Sequence, residues 1–465
     1  MRNFSEGLEL KRVSASDSKG CRGLAAEILL KVEGRNAYAD VLLDRSLKQT
    51  GLSLRDRALL TQLVYGTLRW RGKIDWHLSQ SLTRPLSKMD GYLRNLLRLT
   101  LYQLLFLEKI PDYAAVYEAV ELAKSYGGKK AGGLVNAVTR AILRHRDKLR
   151  YPDPNADIAT YLSVTLSHPE WLVRRWLKYF GMEATEMLLK ANNEEAPLTL
   201  RVSRLKGDRE ELLKMLRDLE LEATPTRFSP QGIKVKGASA PDMLPGFKEG
   251  FFQVQGEASQ LIGYLVDPKP GERILDACAA PGGKSTHLAE LMQDDGEIVA
   301  ADLSARGLEK LKQNMQRLGL KSIRPLRIDL ARGLENALAG SFDRILVDAP
   351  CSGLGTLRSH PEAKWRRDER DIERLSALQD RILNQLPPHL KAGGILVYAT
   401  CTLTQEENEG VVENFLARQR DFVLENAASY LPKEARDLTC GNYFLALPHK
   451  HNTDGFFAAR MRKGA

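Results

Sequence analysis

Two cysteines of this 465-residue chain stand where a thiol can do chemistry. Cys351 comes directly after Asp348-Ala-Pro350, at the end of the apolar run Arg344-Ile-Leu-Val, and Cys401 comes directly after Ile395-Leu-Val-Tyr-Ala-Thr400. Each run reads as a buried parallel strand, so each thiol falls at a strand's carboxyl end, the edge at which open α/β sheets take their ligands. A thiolate at such an edge is a nucleophile able to form a covalent intermediate. A solitary cysteine is read as a small buried hydrophobe, and that reading is kept for Cys21 and Cys440; two cysteines aimed at one edge are read as reactive. The cysteines at 21, 278, 351, 401 and 440 show no Cys-x-x-Cys spacing. That argues against a zinc site and a disulfide framework and fits a reducing compartment.

The element that must position these thiols is Arg273-Ile-Leu-Asp-Ala-Cys-Ala-Ala-Pro-Gly-Gly-Lys284. Ile274 and Leu275 read as a buried strand with Asp276 at its end. Pro281-Gly282-Gly283 make a turn, and Ser285 to Met292 begin a helix. Gly282 and Gly283 carry no Cβ, so the backbone can take positive φ and approach a ligand. A phosphate-gripping P-loop is a poor match, because Cys278 stands where the Walker pattern needs glycine. A second strand, Glu297 to Ala301, ends at Asp302, nineteen residues after Gly283, a spacing that suits an acid on a ribose. Further strands end at Asp329 and Asp348. Helix capping would explain any one of these aspartates, but four in a row predict that Asp276, Asp302, Asp329 and Asp348 converge on one crevice.

Three stretches, Asp276-Ala-Cys-Ala-Ala-Pro-Gly-Gly-Lys-Ser285, Asp348-Ala-Pro-Cys-Ser-Gly353 and Ala399-Thr-Cys-Thr402, resemble the cofactor loop and two catalytic motifs of RNA cytosine-5 methyltransferases. With the N-terminal part, the chain resembles almost end to end the bacterial 16S ribosomal RNA cytosine-5 methyltransferases of the Fmu/Sun type. The resemblance implies S-adenosylmethionine as cofactor, held by Cys278, Ala279, Ala280, Pro281, Gly282, Gly283, Lys284, Asp302, Asp329 and Asp348. It assigns attack on the base to Cys401 and release of the adduct to Cys351. DNA enzymes use the Pro-Cys thiol for attack, and chemistry alone does not choose between the two. Asp348, if protonated, is expected to donate to N3 of the base, which requires a raised pKa.

The chain is too long for one core. Residues 1–150 hold 27 Lys and Arg against 15 Asp and Glu, whereas the remainder holds 42 against 44. The whole basic excess therefore lies in the first third, as expected if that third meets a polyanion. Helical patterns run throughout it: Gly23–Val32, Asp40–Gln49, Leu54–Arg71, Lys73–Ser81, Gly91–Leu107, Ala114–Ser125 and Gly132–Arg146. Leu93, Leu96, Leu97, Leu101, Leu104 and Leu105 mark a core helix. The order Ala25-Glu-Ile-Leu-Leu30, Asp56-Arg-Ala-Leu-Leu60 and Leu134-Val-Asn-Ala-Val138 resembles the RNA-binding domain of the NusB type. Candidate RNA contacts are Arg22, Arg55, Arg57, Arg69, Arg71 and Lys73, with Lys129 and Lys130, taken as a cluster.

Pro152 and Pro154 mark a seam near residue 150. After it, Ser167-His-Pro-Glu170 reads as a capping box for a helix that runs to Gly181, with its indoles in a core. Strands at Leu198–Val202 and Ile233–Lys236 flank a helix at Asp208–Leu219, and Phe251–Gln255 leads into the cofactor domain. The expected architecture is α/β: an all-helical NusB-like domain over 1–150, a small α/β linking module over 151–250 and a Rossmann-like methyltransferase domain over 251–465. The loop Arg358–Arg367 places Lys364, Arg366 and Arg367 beside Trp365, which suits a flipped nucleotide and equally a solvated loop with the indole inward. His449 and His451 read as a turn before the last strand rather than as a metal site, and Glu406, Glu407 and Glu409 as the acidic first turn of a helix.

The opening Met1–Glu6 lacks the apolar core of a signal peptide, and no run of eighteen apolar residues occurs. A cytoplasmic monomer acting on 16S ribosomal RNA, without metal, is expected. The alternatives are a non-catalytic RNA-binding or assembly factor and a cytosine-5 methyltransferase of tRNA.

Overall fold

The computed structural model describes residues 20–34, 37–237, 241–332 and 340–465, so Met1–Glu6 lies outside it. The chain divides into two compact units, Met1–Arg150 and Tyr151–Ala465.

The first unit is helical, with α1 (Gly20–Gly34), α2 (Ala39–Gln49), α3 (Leu54–Arg69), α4 (Arg71–Ser81), α5 (Gly91–Phe106) and α6 (Asp112–Arg144). Side-chain caps start two of them: Ser53 accepts from Asp56 N–H before α3, and the Asp90 carboxylate accepts from Tyr92 and Leu93 N–H before α5. The core runs along α5, where Leu96, Leu97, Leu101 and Leu104 are buried as their spacing predicts, and Leu99 and Thr100 are buried as well. Arg98 is buried on the same helix, its charge balanced by Glu33 at 2.9 Å and Asp75 at 2.6 Å. The two helices expected after residue 112 are one element, α6, broken by non-helical Gly127 and Gly128.

The basic candidates of this unit separate into two groups. Arg69 is buried, so the expectation of a surface contact fails there. Arg22 bonds Gln103 and Glu118, Arg71 pairs with Glu33 at 3.3 Å, and the Lys73 ammonium lies over the Trp70 and Phe106 rings. These cations serve the fold. Arg55, Lys129 and Lys130 are exposed and Arg57 is half-buried.

The second unit opens with α7 (Ile158–Thr165) and α8 (Glu170–Asn192). The expected capping box is not formed, because Ser167 takes φ 55° and Pro169 occupies the cap position of α8 without a side-chain bond. Gly181, at φ 74°, kinks α8 instead of ending it. Trp176 is fully buried and Trp171 half-buried. The elements β1 (Leu198–Val202), α9 (Arg209–Arg217), β2 (Glu222–Pro225), β3 (Gly232–Lys236) and β4 (Phe252–Val254) follow. Their strands form an antiparallel sheet in the order β2-β3-β1-β4. Within the segment expected to lead into the cofactor domain, β4 closes this small sheet.

Then come α10 (Glu257–Val266), β5 (Arg273–Ala277), α11 (Gly283–Leu291), β6 (Glu297–Asp302), α12 (Ala305–Leu318), β7 (Ile323–Arg327) and β8 (Phe342–Asp348). The chain continues through α13 (Ala363–Arg366), α14 (Glu369–Asn384), β9 (Leu390–Thr400), α15 (Glu409–Arg418), β10 (Phe422–Glu425), β11 (Thr439–Cys440), β12 (Tyr443–Ala446), α16 (Pro448–His451) and β13 (Phe456–Lys463). Among the described residues these strands form a nine-stranded sheet, ordered β11-β12-β13-β9-β8-β5-β6-β7, with β10 beside β13. The five strands β5 to β9 are parallel and β13 runs antiparallel to β9. Strand order reverses between β5 and β8, and a crevice opens at the carboxyl ends of such a pair. Apolar clusters cover both faces, one around Leu261, Leu288 and Leu311, the other around Leu275, Leu383 and Phe415. His451 Nδ1 accepts from Leu447 N–H at 2.9 Å and Asn452 takes φ 51°, so this segment is a turn into β13. Cys21 is buried as expected; Cys440 is exposed, contrary to expectation. No helix among the described residues is long and apolar enough to cross a membrane.

Candidate active site

The turn after β5 is built around aspartates. Asp276 is fully buried and accepts the Ser285 hydroxyl at 2.6 Å. Burial pushes its carboxyl up to about 7; the Ser285 bond opposes this, and the charges of Asp348 and Asp302 add to it. Cys278 sits in the turn at φ 62°, its thiol driven up by burial and by the charges of Asp302, Asp348 and Asp276. Three of the four aspartates thus act on a single atom. That environment disfavours a thiolate at Cys278.

Backbone groups fix the rest of the turn. Ala279 N–H donates to Ala301 O at 3.0 Å, and Ala280 N–H donates to Asp302 Oδ2 at 2.9 Å. Pro281 leads to Gly282 at φ 98°, where a Cβ would fall 2.2 Å from Leu311 Cδ1, so only glycine fits. A Cβ on Gly283 would meet nothing nearer than Gln255 Nε2 at 3.9 Å. Lys284 Nζ lies 2.6 Å from Asp348 Oδ2 and 4.9 Å above the Phe456 ring. The Lys284 ammonium thus faces the carboxyl group read from sequence as the donor to N3. Asp329 stands one strand further out, with Arg332 Nε 3.1 Å from its Oδ2.

The small sheet braces this turn. Arg201 on β1 is fully buried and donates to Gly283 O at 2.7 Å, Thr286 Oγ1 at 3.1 Å, Glu290 Oε2 at 3.2 Å and Gln255 Oε1. No local pattern could have revealed a partner so distant in sequence.

The two reactive cysteines meet. Ala349 N–H donates to Ala399 O at 2.9 Å where the adjacent strands β8 and β9 end, and just beyond, Cys351 Sγ and Cys401 Sγ stand 3.4 Å apart. Hydrogen bonding to Cys401, burial, and the negative charges of Cys401 and Glu407 push the Cys351 thiol well above its ordinary range.

Glu407, read from sequence as part of a helix's first turn, precedes α15 and is fully buried. Its carboxylate accepts from Ser352 N–H at 2.8 Å, Ser352 O–H at 2.6 Å, Thr404 O–H at 2.7 Å and Gln379 Nε2 at 3.0 Å. Ser352 and Thr402, the residues that follow the two cysteines, join through their hydroxyls at 2.7 Å. Glu406 pairs with Arg175, and only Glu409 lies in the first turn of α15. Gly355 N–H donates to Cys401 O at 2.9 Å, and Gly455 N–H donates to Gly355 O at 2.7 Å.

The basic loop after Cys351 largely turns inward. Lys364 is fully buried and donates to Asn193 Oδ1 at 3.1 Å. Arg358 is buried and donates to Asn452 Oδ1 at 2.8 Å, while Arg367 donates to Ser352 O at 3.1 Å. Trp365 and Arg366 are half-buried. A cavity of about 230 Å³ lies at the opposite edge of the sheet. Its cations Arg344, Lys391, Arg460 and Arg462 pair with Glu272, Asp343 and Glu425, the last shared by two of them.

Comparison with known proteins agrees with this architecture part by part. Residues 263–462 match the 16S rRNA methyltransferase RsmB/F family, residues 20–144 the NusB family, and residues 168–241 the ferredoxin-like domain of RsmF/B-like methyltransferases. The probable ribosomal RNA small subunit methyltransferase B of Bacillus subtilis is 39% identical over 95% of this chain and 98% of its own. Ribosomal RNA small subunit methyltransferase B of Yersinia enterocolitica is 37% identical over 89% and 92%. Among solved structures, PH0851 superposes with a TM-score of 0.83 at 29% identity, covering 97% of this chain and 100% of that one. NSun6 from Pyrococcus horikoshii, solved with SFG, does so at 0.57 and 26%, covering 64% and 98%. The first unit is therefore an all-α NusB domain, and the second carries a ferredoxin-like module ahead of a Rossmann-like methyltransferase domain. With identity above a third running through both units nearly end to end, the chain belongs to the 16S rRNA methyltransferase RsmB/F family.

Proposed function

We propose that this enzyme transfers a methyl group from S-adenosylmethionine to C5 of a cytosine in 16S ribosomal RNA, through a covalent bond between Cys401 and C6 of the ring. The observation that carries the reading is the pair of sulfurs, 3.4 Å apart, at the carboxyl ends of β8 and β9. Cytosine C5 is a weak nucleophile. Addition of the Cys401 thiolate at C6 breaks the aromaticity of the ring and places electron density on C5. After C5 has been methylated, a base removes its proton, the electron pair restores the C5–C6 double bond and Cys401 departs as thiolate. Cys351, whose sulfur stands 3.4 Å from that of Cys401, is assigned to this release. In this reading Asp348, with the Lys284 ammonium 2.6 Å from its Oδ2, answers the charge that builds at N3.

The residues at the turn fit the cofactor. When bound, S-adenosylmethionine supplies an electrophilic methyl group on a sulfonium. Carboxylates at Asp302, Asp329 and Asp348 suit a cation and ribose hydroxyls, and the open side of Gly283 leaves room for a ligand against the backbone from Cys278 to Lys284. SFG, an analogue of the same cofactor, accompanies the NSun6 neighbour. The helical unit is assigned to RNA through its basic excess, with Arg55, Lys129 and Lys130 outward.

Transfer of tritium from labelled cofactor to naked and protein-bound 16S ribosomal RNA, and to tRNA, tests this, with the labelled base mapped. Label on C5 of a cytosine in 16S RNA is expected. Label on another atom overturns the cytosine-5 assignment, label on tRNA alone changes the substrate, and absence of label on every RNA favours a non-catalytic RNA-binding or assembly factor.

A further inference from the structure

We propose that Glu407 is a positioning residue that holds the Cys351 loop against the Cys401 loop, and so governs release of the RNA adduct more than its formation. The inference rests on the assignment of attack to Cys401 and release to Cys351. Glu407 follows Cys401 by six residues, yet its carboxylate grips the residue immediately after Cys351, through both the N–H and the hydroxyl of Ser352. Bonds from Gln379, Thr404 and, at 3.4 Å, Thr402 complete the shell. These bonds occupy both carboxylate oxygens and turn them away from substrate chemistry. What remains for it is to fix geometry.

The two loops depend on this carboxylate unequally. The Cys401 loop has its own supports: Asn408 Nδ2 donates to Thr402 O at 3.1 Å, and Gly355 N–H donates to Cys401 O at 2.9 Å. The Cys351 loop leans on Glu407 twice through Ser352, and a third time through Gln379, whose amide also donates to Pro350 O at 3.0 Å. Its other side-chain ties are Arg367 to Ser352 O at 3.1 Å and the Ser352–Thr402 hydroxyl pair at 2.7 Å. Loss of the carboxylate therefore displaces Cys351 more than Cys401.

The test compares wild-type enzyme with Glu407→Ala, Glu407→Gln and Cys351→Ala on 16S RNA with S-adenosylmethionine, reading methyl transfer and the covalent adduct on a denaturing gel. Glu407→Ala is expected to accumulate adduct about tenfold or more above wild type, since small misplacement of a reacting group costs one to two orders of magnitude. Glu407→Gln keeps the shape, and its amide can donate to hydroxyls that also accept, so it is expected to restore release. Wild-type release in Glu407→Ala, or an equal loss of adduct formation and methyl transfer, overturns the positioning role. Failure of Cys351→Ala to form adduct overturns the attack assignment itself, which separates the two failures. Should Glu407→Ala not fold, Ser352→Ala decides: adduct accumulation supports the role and wild-type release overturns it.

Discussion

Cys351 Sγ and Cys401 Sγ approach to 3.4 Å although fifty residues separate them, because β8 and β9 are neighbouring parallel strands whose carboxyl ends the two thiols extend. One strand further, β5 carries the aspartate-rich turn to the same edge. Two thiols and the aspartate-rich turn are thus brought together by three adjacent strands.

Cys401→Ala is expected to abolish methyl transfer and to form no adduct. Cys351→Ala is expected to leave RNA bound covalently, visible as a band that survives denaturation. The two phenotypes are opposite, so a single gel distinguishes them; adduct in the Cys401 variant would exchange the roles.

Lys284→Met tests the ion pair. Removing the ammonium leaves Asp348, the residue proposed to answer charge on the base, without its partner at 2.6 Å. Methyl transfer is expected to fall about a hundredfold, the scale of losing one stabilising group aimed at developing charge. Steady-state kinetics should place the loss mainly in kcat, and a full effect on RNA KM with kcat unchanged would contradict the assignment.

The parallel strands and the Gly-rich turn were legible because buried parallel strands are short continuous apolar runs and turns need glycine and proline. So was the convergence of the strand-end aspartates, apart from Asp329, whose visible partner is Arg332. Charged residues were less legible. A Lys or Glu in a polar stretch looks the same whether solvated or buried with partners, so Lys364, Arg69 and Glu407 were placed outside when they lie inside. Arg201 reaches Gly283 O only because the small sheet packs against α11, and β2, four residues ending in proline, carries no strand signal.

Gly355→Ala is expected to cost activity more than stability. A Cβ there would fall 2.3 Å from Gly455 O and 2.8 Å from Cys401 O, backbone atoms on two sides that cannot rotate away. Relief requires moving the Cys401 loop. Thermal unfolding should show a loss of about 1–3 kcal/mol, while methyl transfer should fall by about a hundredfold. Wild-type activity in a folded variant would show that the loop is not held by this contact.

Asp276 predicts a pH dependence of stability. Its folded pKa is raised from 3.8 to about 7, chiefly by burial, so the folded state binds this proton more tightly than the unfolded chain. The resulting stabilisation is fully present below the unfolded value and is lost as pH rises through about 7. The span is on the order of 4 kcal/mol at most. Asp276→Asn has no proton to lose and can still accept the Ser285 hydroxyl at its amide oxygen. Melting curves from about pH 5 to about pH 8 should therefore show wild type losing stability relative to the variant as pH rises. Ser285→Ala removes the bond that favours the charged form, so it should raise the folded pKa further and move the loss to higher pH. A difference between wild type and Asp276→Asn that does not change with pH would mean that Asp276 keeps its charge when buried, and that some unseen partner compensates it.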